Sequence, residues 1–94
     1  MAATVYPLKH PIIVTIGERT EEITSLALRR ATGNDLLLID SFRHQPMKLV
    51  LEMIAALSGQ PFVIIQKLDA GDVGPLGELA FANVEDGLPI GGTS

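Results

Sequence analysis

Ninety-four residues with no cysteine and a formal net charge of −4 make one domain with a modest core. They exclude a disulfide framework, a thiolate nucleophile and a cysteine-ligated zinc. Of these residues 19% are charged and 47% hydrophobic, so in a chain this small part of the apolar surplus is expected to stay exposed as partner or oligomer surface.

Charge is unevenly placed. Residues 1–43 carry five basic and five acidic side chains, and residues 44–94 carry two basic and six acidic. The second half is expected to repel nucleic-acid phosphates and anionic membranes. The opening residues lack the basic stretch of a signal peptide, no apolar run approaches the ~18 residues of a membrane span, and the missing disulfide staples fit a reducing cytoplasm.

In chain order, Ile12, Val14 and Ile16 share one face at period two. Gly17-Glu18-Arg19 supplies a turn, and Ile23 to Arg30 returns with Leu26 and Leu28 on a common face. The result is a hairpin over about residues 5–30 whose apolar side needs cover. Pro7 and Pro11 confine the preceding stretch to an edge strand or an irregular lead-in. Thr32-Gly33-Asn34-Asp35 reads as a helix start and predicts a short helix over Leu36–Phe42. Pro46 opens a second helix that stops near Gly59, and Pro61 opens a third through about Leu68. Asp69 and Asp72 both suit the N-cap of a fourth segment reaching about Glu85. Pro75 is tolerated if Asp72 caps and kinks the segment if Asp69 does. The expected fold is α+β: one domain over residues 1–86, with an N-terminal β-hairpin or small antiparallel sheet packed against three or four short C-terminal helices at about 33–85. Residues 87–94 show no pattern and are expected to form a flexible tail.

The second helix carries two apolar faces. At 100° per residue, Met47, Val50, Leu51, Ile54 and Leu57 form a core stripe, Lys48 and Glu52 form a solvated pair, and Leu49, Met53 and Ala56 fall elsewhere. Either the helix is central and buried on both sides, or Leu49, Met53 and Ala56 meet a partner, with methionine as the adaptable contact. Phe81 poses the same choice, because it points off the face shared by Leu76, Leu79 and Ala80.

Residues able to do chemistry are sparse. His10 and His44 have no histidine three or four places away, as a helical metal site would need. The Asp69–Asp72 spacing suits a helix cap and its first-turn acid better than a cation site. Gly71, Gly74 and Gly77 imitate a phosphate loop in number, but no lysine follows and Asp72 and Glu78 oppose a phosphate. Ser25, Ser41 and Ser58 lack a nucleophile-elbow context. Arg29, Arg30 and Arg43 form at most a small basic patch without the aromatics of single-strand binding. No catalytic residue, cofactor or metal site is therefore expected.

Four stretches resemble one family. Tyr6-Pro7-Leu8-Lys9-His10-Pro11-Ile12 looks like its L-K-x-P-I opening ahead of a hairpin, and Leu28-Arg29-Arg30-Ala31-Thr32-Gly33-Asn34-Asp35-Leu36 looks like its strand-to-helix junction. Leu57-Ser58-Gly59-Gln60-Pro61 and Leu68-Asp69-Ala70-Gly71-Asp72 are similar to its two later punctuation marks. The family is the tail assembly chaperones of Mu-like and P2-like phages and prophages, and the resemblance runs over about residues 5–82. It implies a non-enzymatic factor that binds and solubilises the tape-measure protein in the bacterial cytoplasm while tail-tube protein polymerises around it. Members are also often made with a frameshifted longer form. The resemblance implies a partner surface, for which Leu49, Met53, Ala56 and Phe81 are the candidates, and leaves room for a homo-oligomer. The alternative is a structural tail component retained in the virion; less favoured is a small nucleic-acid-binding regulator resting on Arg29 and Arg30.

Overall fold

A computed structural model describes residues 3–87, of which 83–87 are described as backbone alone. Two strands, β1 (Thr4–Ile16) and β2 (Arg19–Leu28), are followed by four helices: α1 (Gly33–Phe42), α2 (Pro46–Ser58), α3 (Phe62–Ile65) and α4 (Ala70–Gly87). The fold is α+β, as the periodicity predicts. The expected tail lies outside the described residues apart from Gly87, which ends α4.

β1 and β2 pair antiparallel around a two-residue turn closed by Ile16 and Arg19. Gly17 takes φ 63° there, a conformation costly to residues with a Cβ. The ladder has two parts. Thr4 to Pro7 face Leu28 to Ser25, and Ile12 to Ile16 face Ile23 to Arg19. Between them, Leu8 to Pro11 oppose Thr24 alone, and the register shifts. Prolines at both ends of this bulge remove two ladder donors. The inner part of the ribbon lies against the helices, while residues 15–22 at its tip are all exposed.

α2 runs through the middle of the molecule. Pro46 starts it, where a missing N–H costs nothing. Gly59 ends it in the left-handed conformation at φ 74°, donating its N–H to the Ala55 carbonyl. Met53, Ile54 and Leu57 are wholly enclosed, together with Leu26 and Leu28 of the hairpin, Ile65 of α3, and Leu76 and Ala80 of α4. The Arg29 N–H donates to the Leu57 carbonyl at 3.0 Å, so the end of β2 satisfies a terminal group of α2. α3 is a single turn, shorter than predicted, and runs out in i,i+3 turns at Lys67 and Leu68.

Asp69 caps α4: its Oδ2 accepts the Gly71 N–H at 2.9 Å, and its carbonyl accepts from Asp72 and Val73. The helix nevertheless continues through Pro75 to Gly87. Gly71, four residues before Pro75, thereby loses its intrahelical donor.

Candidate functional site

Two buried carboxylates tie the helices to the hairpin. Asp72, in the first turn of α4, is fully enclosed. Its Oδ1 accepts the Tyr6 hydroxyl and the Lys9 N–H, each at 2.9 Å, and its Oδ2 accepts the His10 N–H at 3.0 Å. Lys9 and His10 sit in the β1 bulge, where the shifted register frees their amides from the ladder. Burial alone pushes the Asp72 carboxyl up; the two amides, the Tyr6 hydroxyl and the charge of His10 outweigh it and hold the group below the usual carboxylate range. The Tyr6 phenol is pushed up in turn, by burial first and then by its bond to Asp72. Outside this knot, the exposed His10 ring lies 3.6 Å from Asp69.

Asp35 plays the matching part in α1. Arg29 at the end of β2 grips it with two parallel bonds, 2.7 Å from Nη1 and 3.0 Å from Nη2. The Thr32 N–H and hydroxyl donate to the same carboxylate at 2.7 and 3.1 Å. Arg29, reinforced by Thr32, outweighs burial and holds Asp35 below the usual range. Among the described residues no buried side-chain nitrogen or oxygen lacks a partner, and no cluster of histidine and carboxylate side chains suits a metal. Both buried carboxylates are therefore engaged within the fold, and Arg29 serves Asp35 in it.

The candidate partner residues do not share one surface. Met53 is wholly enclosed in the core, while Leu49, Ala56 and Phe81 are half-buried. Met47, expected in the core stripe, is instead 63% exposed. The two methionines exchange places because α2 turns a different stripe inward: Val50, Met53, Ile54 and Leu57, at i, i+3, i+4 and i+7. At Gly77 of α4 a Cβ would stand 3.0 Å from Val50 Cγ1, so the two helices approach closely there and any side chain would force Val50 to shift. Lys48, expected beside Glu52, instead places its ammonium 5.2 Å from the centre of the Phe42 ring.

Met47 stands between two shallow apolar recesses. One, of about 350 Å³, is lined by Val50, Val73, Gly74, Gly77, Glu78 and Phe81. The other, of about 420 Å³, is lined by Leu51, Ile65, Gln66, Leu68, Ala70, Val73 and Gly74. Val73, Gly74 and Met47 border both, so the recesses form one cleft along α4 from Ala70 to Phe81. At Gly74 a Cβ would meet nothing within 4 Å, so the backbone of α4 lies open in the cleft. Among the described residues Glu78 is the one charged side chain lining it. Of the four residues singled out from the sequence, the cleft includes Phe81 alone. Periodicity on α2 could not reveal it, because the cleft arises where two helices and the α3–α4 link meet.

Neither the protein-family models, nor the curated proteins, nor the solved structures contain a match to this chain. No helix among the described residues is long and apolar enough to cross a membrane.

Proposed function

We propose that the chain is a non-enzymatic tail assembly chaperone of a phage or prophage, which binds and solubilises the tape-measure protein in the host cytoplasm before tail-tube protein displaces it. The observation that carries this reading is the apolar cleft around Met47, on a domain whose buried carboxylates are occupied in holding it together. A polarisable, unbranched methionine between two open recesses suits contacts with varied apolar side chains along a long client. Weak contacts repeated along such a client would retain it and still yield to the polymerising tube.

The four stretches that resemble the family fall at the joints of the fold. Leu8 to Ile12 contains the amides that hold Asp72, and Leu28 to Leu36 contains the Arg29–Asp35 grip. Leu57 to Pro61 ends α2, and Leu68 to Asp72 caps α4. The resemblance thus speaks for the scaffold, and the cleft speaks for the activity.

A structural tail subunit retained in the virion is the second reading. It is favoured by the outer part of the ribbon, where Ile13 and Ile16 remain open to water, and by a two-stranded sheet whose edges could join copies. Mass spectrometry of purified virions separates the two. A chaperone is absent from the particle, and detection at the copy number of a tube subunit supports the structural reading instead.

A further inference from the structure

We infer that the cleft beside Met47 takes a basic amphipathic helix of about three turns, its apolar stripe on Val50, Val73 and the bare backbone of Gly74, and a lysine or arginine against Glu78. The inference rests on the chaperone reading in taking the occupant to be a protein segment, whereas the chemistry of that segment comes from the cleft itself.

Three observations carry it. The first is length. The lining residues of α4 run from Ala70 to Phe81, which at 1.5 Å per residue is ~17 Å, the reach of about three helical turns and too long for one small solute.

The second is shape. A ridge of side chains needs a floor without side chains, and Gly74 supplies it between the two recesses. The exposed Met47 can shift to either side as successive apolar residues seat.

The third is charge. Glu78 lies in the recess nearer the C-terminal end of α4. No basic residue follows Lys67 in the sequence, whereas Glu78, Glu85 and Asp86 do, beside an Asp72 that is enclosed and held by its own donors. At the other end Lys67 and Asp69 flank Leu68 and offset one another. A helix with a cationic flank is therefore attracted along α4, and one with an acidic flank is repelled.

The test is a methyl and amide NMR titration of the full chain with stapled synthetic helices of about 12 residues, leucine on one face and lysine on its borders. A second set replaces lysine by glutamate. The lysine helix is expected to shift the Met47 methyl and Gly74 amide signals and to bind about tenfold more tightly than the glutamate helix. Glu78→Lys is expected to narrow or reverse that preference. Gly74→Leu meets nothing beyond its chain neighbours and bears only the cost of a Cβ before Pro75, so it is expected to unfold cooperatively at a lowered midpoint and yet lose binding. Equal affinity for the two helices, shifts centred elsewhere, or full binding by Gly74→Leu would overturn the inference. Failure of the tape-measure protein to co-purify while the lysine helix still seats removes the chaperone reading and supports the chemistry assigned to the cleft. Co-purification unaffected by Gly74→Leu keeps the chaperone and refutes this site.

Discussion

Asp72 brings two distant stretches of chain together through three donors, and two of the three are backbone amides that only a proline substitution would remove. Asp72→Ala would leave the Lys9 and His10 amides and the Tyr6 hydroxyl buried without an acceptor, at an expected cost of about 3–5 kcal/mol. Tyr6→Phe removes one donor and leaves the carboxylate with two, so about 1–2 kcal/mol is expected. Urea unfolding of the two single variants and the double variant checks both values. The double variant should cost less than the sum, because the two groups share a bond. Both Asp72 and Asp35 are held below their ordinary pKa in the fold. Such groups stabilise fully above the unfolded carboxylate value, about 3.9, and the contribution is lost as pH falls through the lower folded value. The melting temperature should therefore vary little between about pH 7 and 5 and fall steeply below about 4. Asp72→Asn, already destabilised at neutral pH, should show a shallower acid limb.

At the scale of elements, the packing of α4 on α2 turns on two glycines with opposite surroundings. Gly77→Leu would drive a side chain into Val50, and overpacking of this kind costs about 1–3 kcal/mol. Val50→Ala should restore part of that loss. Gly74→Ala meets no atom beyond its chain neighbours, and the gain from replacing a helical glycine is opposed by the clash of a Cβ with the following Pro75, so a change within about 1 kcal/mol is expected. Thermal melts of the two glycine variants and of the Gly77–Val50 pair test this contrast. Much of the element order is legible in the sequence because its punctuation is local: Gly17 in the turn, Pro46 and Gly59 around α2, and Asp69 before α4. Asp69 and Asp72 look alike as caps, since either carboxylate can accept N–H bonds. What separates them is the position of Lys9 and His10, more than 60 residues away in the chain. The core face of α2 is hidden for a related reason. Its sequence carries two apolar stripes, and the choice between them is made by the helices and hairpin packed around it, which its own periodicity does not contain.

For the molecule as a whole, the scaffold was largely legible in the sequence and the cleft was not. The joints are made by residue types with narrow uses, such as the Arg29–Asp35 fork and the Gly59 stop. The cleft is lined by ordinary apolar residues whose exposure is set by tertiary contact alone. Met47 and Met53 therefore divide the account most sharply. They are the same residue type on the same helix, one 63% exposed beside the cleft and the other fully enclosed in the core. Met53→Asp buries an unpaired charge and should abolish cooperative folding. Met47→Asp places a charge in water and should leave the unfolding midpoint nearly unchanged.

The most direct measurement is co-expression of the tagged chain with the tape-measure protein of the same genome, comparing wild type with Met47→Asp by pull-down and by the soluble fraction of the tape measure. Wild type is expected to co-purify with the tape measure and keep it soluble, while the folded Met47→Asp variant does neither. An insoluble, unbound tape measure beside well-folded wild type, with the chain instead forming rings or tubes by itself, would contradict the chaperone reading and favour a structural tail subunit.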